Sequence, residues 1–422
     1  MDKELLYQLE TPCVVLDTRM AEENIKKMQA ACDACGVKLR PHIKTHKMPL
    51  FAKMQLAAGA DGVTCAKVGE AEVMADGGVD DIFIAYPMVG DFRVRRVIAL
   101  AKRLRRLILG VDSLEIAKPL SAAAVEAGVT LEVRLEVDTG AKRTGVERDK
   151  AAALAVAIHN LPNLNLTGIY TFKSLVYHDA PTLDKCEAAA EEGELMQQIA
   201  ESIRAAGVPI TDISAGSTPT GIEVAKTGKV TEVRPGTYIF NDFMLTKEGA
   251  ATLDEIAVRV YATVVSTPSK EYAVLDGGTK TFYMDIVPET PPYYYPGYAV
   301  VAGNDDLQLL RMNEEHGILT SKKGDTGLHV GDIVELIPIH VCTTINQQNE
   351  VYLYDGETLR KEKVAARGML VCERSSKKAR STMAPARRAL PPMCWCRMTR
   401  LKPSPRILTP RLIQSSTRRD WR

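Results

Sequence analysis

The chain has 422 residues, 45% hydrophobic and 25% charged, enough to bury a large core, which excludes disorder over its whole length. No stretch approaches the roughly 18 consecutive apolar residues of a membrane span, and the start MDKELLYQLE lacks the basic-then-apolar layout of a signal peptide, so a cytoplasmic protein is expected. The net charge of +1 conceals an asymmetry: residues 373–422 carry 14 Lys and Arg against Glu373 and Asp420, leaving 40 basic and 51 acidic residues before them, and so acidic a body offers nucleic acid no footprint.

An early strand, TPCVVLD (11–17), opens the pattern. Eight β-branched runs follow: LRPHIK (39–44), GVTCA (62–66), DIFIAY (81–86), RLILGVD (106–112), LEVRLEVDTG (131–140), LNLTGIYTF (164–172), PITDISAG (209–216) and TEVRPGTYIF (231–240). Segments with apolar residues at helical spacing, many ending in Gly, lie between them. Eight strands alternating with eight such segments predict a (β/α)8 TIM-like barrel over residues 18–245.

From about Ala251 the runs IAVRVYATVVST, YAVLDGG, DIVELIPIHVCTT and EVYLYDG alternate with Gly, Pro and Asn turns and no long helix. They predict a C-terminal antiparallel β domain over 246–372 that also takes residues 1–17, so that the chain starts and finishes in one sheet. The tail, 373–422, holds six prolines and both tryptophans without hydrophobic periodicity, and reads as a basic, disordered extension. The nine cysteines are irregularly spaced, which argues for reduced thiols, and Cys32 and Cys35 read as chance neighbours on a helix rather than a redox pair. His159, His178 and His329 have no partner at metal spacing.

Barrel chemistry sits at the C-terminal ends of the strands. At the first, RPHIKTHK (40–47), residues two apart share a face, so His42 and Lys44 should point inward with Lys44 at the rim. A lysine held away from water there serves as an amine nucleophile or base, though the same spacing suits a rim lysine in a salt bridge. The seventh and eighth ends, AGSTPT (215–220) and RPGTY (234–238), offer Gly216, Ser217, Thr218, Gly236 and Tyr238 as a phosphate-binding pair of turns. A lysine facing a phosphate anchor points to a phosphorylated aldehyde cofactor.

The segments LDTRMAEENIKKMQ, RPHIKTHK, LAAGADGVTCAKVGEAEVMADGGVDDIFIAY, EVDTGAKRTGV, SAGSTPT, TEVRPGTYIF, MNEEHG and IPIHVCTTIN together resemble the D-threonine aldolase and D-serine dehydratase family of pyridoxal 5'-phosphate enzymes, which share the alanine racemase fold. The resemblance runs from about residue 10 to VAARG at 364–368. It implies that Lys44 forms the Schiff base and takes the Cα proton of a D-amino acid, and that the turns at 216–218 and 236–238 hold the phosphate. Arg143 resembles the family arginine near the cofactor. Tyr170 falls where the family often has a ring-contacting tyrosine, although GIYTFKSLVYHD departs from the commoner pattern and a packed strand tyrosine is equally open.

His340 and Cys342, two apart on an expected strand, would face the same way, and a thiolate beside an imidazole favours Zn²⁺; taken alone, a packed cysteine beside a satisfied histidine explains the pair as well. In the family this position carries a catalytic divalent metal, zinc or manganese, with ligands written His-x-Cys or His-x-Asp. His316, in the segment 313–317, is a further substrate-site candidate that an exposed turn would also explain.

The function implied is a lyase on D-3-hydroxy amino acids whose metal polarises the β-hydroxyl. His-x-Cys resembles the dehydratase branch, acting on D-serine or D-3-hydroxyaspartate, more than the D-threonine aldolase branch. An amino-acid racemase would have no use for His340 and Cys342, and a non-catalytic pyridoxal-phosphate-binding protein would lack the β domain. A homodimer, one chain's C-terminal domain closing the other's barrel mouth, is the family expectation.

Overall fold

The structure is a computed structural model and describes residues 3–370; the expected basic tail lies outside the described residues. The first half of the chain supplies β1 (Cys13–Asp17) and then β2 (Lys38–Leu39), β3 (Val63–Cys65), β4 (Asp81–Ile84), β5 (Arg106–Val111), β6 (Leu131–Glu136) and β7 (Leu164–Tyr170). A short hairpin, β8 (Val176–Tyr177) and β9 (Ala180–Pro181), precedes β10 (Asp212–Ala215) and β11 (Glu232–Val233). Eight of these strands pair in parallel in the order β2-β11-β10-β7-β6-β5-β4-β3, and a parallel bridge between His42 and Thr64 joins the two ends into a ring. Helices cover its outside, so its strands are buried on both faces and read as continuous apolar runs.

The remaining strands are β12 (Val258–Ser269), β13 (Tyr272–Leu275), β14 (Ala299–Val301), β15 (Leu307–Met312), β16 (Gly317–Ser321), β17 (Ile333–Pro338), β18 (Glu350–Tyr354) and β19 (Leu359–Lys363). They form a nine-stranded sheet with β1, in the order β13-β16-β15-β14-β17-β12-β1-β18-β19, and β12 pairs with β13 as well, which closes most of the sheet on itself. β1 runs antiparallel to β12 and parallel to β18, so the N-terminal strand does join the C-terminal domain. One residue makes the passage to the barrel: Asp17 ends β1 and caps the helix Thr18–Ala34, its carboxylate accepting from Arg19 N at 3.0 Å and Met20 N at 3.2 Å. That helix buries Ala21, Ile25, Met28 and Cys32, one face at helical spacing, against the barrel.

The strands are shorter than their apolar runs, and at two of them only a two-residue strand forms. The run 39–44 is strand only at Lys38–Leu39, because Pro41 has no N–H for a ladder and the chain turns, Lys47 N donating to Ile43 O at 2.8 Å. The run 231–240 is strand only at Glu232–Val233; Pro235 ends the ladder and a 3-10 turn, Thr237–Ile239, follows. Among the described residues no helix is long and apolar enough to cross a membrane.

The lower interior of the barrel is ionic. Arg40, fully buried, donates through Nε to Glu232 at 2.8 Å and through Nη2 to Asp61 at 3.1 Å, and its Nη1 bonds Asp81. Arg134 donates to the other Glu232 oxygen at 2.6 Å, and Ser214 Oγ donates to that oxygen at 2.6 Å. Burial alone would raise the Glu232 carboxyl, but Arg134, Arg40 and Ser214 hold it well below the usual carboxylate range. Glu232→Ala would leave two buried guanidinium groups short of a counter-charge and should cost about 3–5 kcal/mol in urea unfolding at neutral pH. A loss below about 1 kcal/mol would show that the remaining acids carry the network alone.

Candidate functional site

At the opposite, C-terminal rim a cavity of about 530 Å³ opens. Its lining includes His42, Lys44, Arg143, Tyr170, Gly216, Ser217, Thr218, Gly236, His340 and Cys342, so ten of the twelve residues singled out by sequence converge on one space. They come from the ends of β2, β6, β7, β10 and β11 and from the segment after β17.

The turn after β2 presents Lys44. His42 N donates to Pro235 O at 2.9 Å and Ile43 N to Thr64 O at 2.9 Å, which pins the turn to the strands on either side. Lys47, in the left-handed region at φ 58°, is held by its buried ion pair with Glu70 and by Ala366 N, which donates to Lys47 O at 2.9 Å. His46 closes the turn, Met48 N donating to its Nδ1 at 3.1 Å while Nε2 meets Gln55 Oε1 at 3.3 Å. Against this anchoring Lys44 Nζ stands free: it makes no hydrogen bond or ion pair with any described residue and lies 5.7 Å from the Phe172 ring, over which the Arg143 guanidinium also sits at 4.5 Å. The salt-bridged alternative for Lys44 therefore falls away. Burial, with Lys44 and Arg234 close by, holds His42 well below its ordinary range as a neutral imidazole, and its Nδ1 accepts from Lys44 N at 3.3 Å.

Tyr170 is buried, and its hydroxyl donates to Glu136 at 3.0 Å; Thr144 donates to the other oxygen of that carboxylate at 2.8 Å. Gly110 makes the space, since a Cβ there would lie 2.2 Å from the Tyr170 hydroxyl. Burial pushes both the Glu136 carboxyl and the Tyr170 phenol up.

The two glycine turns meet. Gly216 has φ 79°, and a Cβ on it would lie 2.8 Å from Val224 Cγ1, so only glycine fits. Thr218 Oγ1 accepts from Gly236 N at 3.2 Å and Tyr238 N at 3.3 Å, long bonds that join the turns and leave their amides weakly satisfied. Arg234 lies buried beneath, donating to Ser214 Oγ at 2.5 Å and to Thr171 O. Amides and a buried cation at one end of the cavity fit an anion such as a phosphate. Tyr238 contributes only backbone here: its side chain is buried away from the cavity, the hydroxyl accepting from Gln55 Nε2 at 3.0 Å.

His340 and Cys342 converge, but not on a strand. β17 ends at Pro338, and His340 is the N-cap of a helix, Val341–Gln347, in which Cys342 is the second residue. The reason is Asp242, whose carboxylate accepts from Val341 N at 2.9 Å and from Leu245 N at 3.0 Å, starting two helices at once. His340 Nδ1 is buried without a hydrogen-bond partner among the described residues, and the ring lies edge-on to Tyr283 at 4.9 Å. Burial would raise the Cys342 thiol, yet the neighbouring His340 outweighs it and brings the thiol down to about 7. An orphaned imidazole nitrogen beside a thiolate fits a soft divalent cation. Among the described residues no cluster of three or more His, Cys, Asp or Glu is placed to hold a metal, so this pair would leave positions open to substrate and water.

His316 is not brought to the cavity; it is exposed, in a turn where Asn313 N donates to His316 O at 2.8 Å. Sequence reasoning missed Thr45, Glu136, Phe172, Arg234, Thr237, Asp242 and Glu248. Arg234 stands immediately before Pro235-Gly236 and was readable as part of that turn, whereas nothing local announces the buried carboxyl of Asp242 or the half-buried one of Glu248. Burial and nearby Asp242 push Glu248 up to about 8.

Residues 16–242 match the family of the alanine racemase N-terminal domain, and residues 257–354 match the serine dehydratase domain. The D-threonine aldolase of an Arthrobacter species is 31% identical over 86% of this chain and 94% of its own length. The D-threo-3-hydroxyaspartate dehydratase of Delftia sp. HT23 is 34% identical over 81% and 93%. The crystal structure of D-threonine aldolase from Filomicrobium marinum superposes with a TM-score of 0.78 at 30% identity, covering 87% of this chain and 97% of that one. Solved forms of the dehydratase, also at 0.78, include a histidine-to-alanine variant and, two positions further on, a cysteine-to-alanine variant in a metal-free form.

In chelator-treated protein, alkylation of Cys342 followed peptide by peptide should rise to half its maximal rate near pH 7, as the thiolate forms above that pH. A midpoint at pH 8.5 or above, about where a free thiol titrates, would show that His340 does not act on the sulfur.

Proposed function

The chain belongs to the D-threonine aldolase and D-serine dehydratase family of lyases, and on that premise we propose that it is a pyridoxal-phosphate- and metal-dependent lyase acting on a D-3-hydroxy amino acid. The observation that carries this reading is the single cavity shared by an unpaired Lys44 and by the pair His340 and Cys342. When bound, pyridoxal phosphate supplies an electron sink for the substrate Cα, and the metal, zinc or manganese, supplies a Lewis acid at the β-oxygen.

The chain's own residues do the rest. Lys44 anchors the cofactor and then moves the proton at Cα, a task suited to an amine that no carboxylate engages. Backbone amides at Ser217 and Thr218 and at Gly236 and Tyr238 would hold the phosphate, Gly216 shaping the turn while its own N–H donates to Glu192 at 3.1 Å, and Arg234 beneath them adds positive charge. Arg143 and the neutral His42 flank Lys44 on the cofactor side, and Tyr170 braces Glu136 there. His340 and Cys342 would hold the metal that supplies the Lewis acid.

Loss of that hydroxyl gives dehydration; loss of its proton with cleavage of the Cα–Cβ bond gives a retro-aldol reaction. We assign dehydration of a D-serine-type or D-3-hydroxyaspartate-type substrate, because cysteine stands second in the pair, at the same spacing as in the Delftia dehydratase. Retro-aldol cleavage is the second reading, supported by the likeness to the Arthrobacter D-threonine aldolase.

Product analysis of the holoenzyme with Zn²⁺ or Mn²⁺ tests the assignment. Pyruvate and ammonia from D-serine, or 2-oxobutanoate and ammonia from D-threonine, are expected; glycine and acetaldehyde from D-threonine would establish the aldolase instead, and racemisation without cleavage would overturn both. Lys44→Ala should abolish the visible absorption of lysine-bound pyridoxal phosphate and lower kcat by roughly 10²–10⁴-fold. Retention of that absorption would remove Lys44 from its role.

A further inference from the structure

Thr45 is fully buried, so its hydroxyl needs a partner inside the protein. The one it has among the described residues is Cys342 Sγ, at 3.1 Å and 297 positions away in sequence. Thr237 Oγ1 lies 3.5 Å from the same sulfur. The approach depends on Gly236, where a Cβ would lie 3.2 Å from Thr45 Oγ1 and 3.1 Å from His42 O. The backbone of the Cys342 turn is tied separately, through Val341 N to Asp242.

We propose that Thr45 is a positioning residue of the metal centre: its hydroxyl donates to the Cys342 sulfur, aims the sulfur's remaining lone pairs at the metal, and holds that ligand at a fixed separation from Lys44, its neighbour in the chain. A hydroxyl donated to a ligating sulfur fixes the ligand's orientation, and loss of such a support generally weakens metal binding. One hydrogen bond thereby links the amine that works at Cα to the ligand that serves the β-oxygen. Thr237 gives the sulfur a second hydroxyl from the turn that holds the phosphate, so all three parts of the site meet at one sulfur. The inference rests on the reading that His340 and Cys342 hold the metal.

The test is zinc affinity, measured by chelator competition on the cofactor-loaded enzyme, for Thr45→Val, Thr45→Ser and Cys342→Ala. Thr45→Val should weaken zinc binding by about 10–100-fold while the visible absorption of bound pyridoxal phosphate stays unchanged, and Thr45→Ser, which keeps the hydroxyl, should restore the affinity. Unchanged zinc affinity in Thr45→Val, even with a lowered melting temperature, would overturn the proposal, as would an equal loss in Thr45→Ser. If Thr45→Val does not fold, Thr45→Ala removes the hydroxyl without adding bulk against Gly236 and is read by the same criteria. Cys342→Ala separates the two levels: undiminished zinc binding there overturns the ligand reading and the proposal with it, whereas zinc lost in Cys342→Ala but retained in Thr45→Val overturns the role of Thr45 alone.

Discussion

Glu232, buried among Arg40, Arg134 and Ser214, is the constraint on which the barrel's geometry turns. Its two oxygens bind groups from the first, fifth and seventh barrel strands or their immediate extensions, and Arg40 carries the link on to Asp81 at the start of β4 and Asp61 before β3. Charged groups so deeply buried tolerate few arrangements, because each donor left without an acceptor is costly. Register is therefore set at the lower end of the barrel, one residue before Pro41 in one strand and three before Pro235 in another. Those prolines release the chain from the ladder where the rim begins, and the turns carrying Lys44 and Gly236 start from fixed positions.

The rim inherits this rigidity and adds its own. Lys44 Nζ has no hydrogen-bond or ion-pair partner among the described residues; the turn beneath it is held by His46, by the ion pair of Lys47 with Glu70, and by Ala366 from the end of the β domain. A fixed backbone limits where the side chain can reach while its head group stays available. The β domain meets the barrel in the same region: Asp242, just beyond β11, caps the helix that carries Cys342, and Thr45 touches the sulfur itself. Two domains folded around separate sheets thus share one set of buried polar contacts at the cavity.

Charge is distributed across the cavity according to what each side has to hold. Arg143, Arg234 and the glycine-turn amides make one side receptive to an anion, while the orphaned imidazole of His340 and the acidified Cys342 make the other receptive to a cation. A neutral His42 lies on the first side without adding further positive charge. The two sides are close: Thr237, in the second glycine turn, lies 3.5 Å from the Cys342 sulfur.

Much of this was legible in the sequence, because it depends on local pattern. Alternating apolar runs and Gly-terminated helices report a parallel barrel, the later strand-rich stretch reports the second sheet, and RPHIKTHK, SAGSTPT and RPGTY mark rim turns through Pro and Gly, whose backbone restrictions act at their own positions. His340 and Cys342 were legible as a pair, yet the helix they begin was not, since it is started by Asp242 from a hundred residues earlier. Tyr238 shows the same limit from the other side: the turn was identified correctly, but the direction of its side chain was decided by a hydrogen bond from Gln55 on a distant helix. The exposed turn of His316, the buried carboxyl of Glu136 and the half-buried one of Glu248 carry no local sign of their surroundings. Sequence by itself determined the fold class and the places of Lys44 and the glycine turns at the strand ends, since propensity, periodicity and residue chemistry are properties of short segments. Tertiary structure alone decided which polar groups face each other across the cavity and which are left without partners, because those facts belong to contacts between segments that only folding brings together.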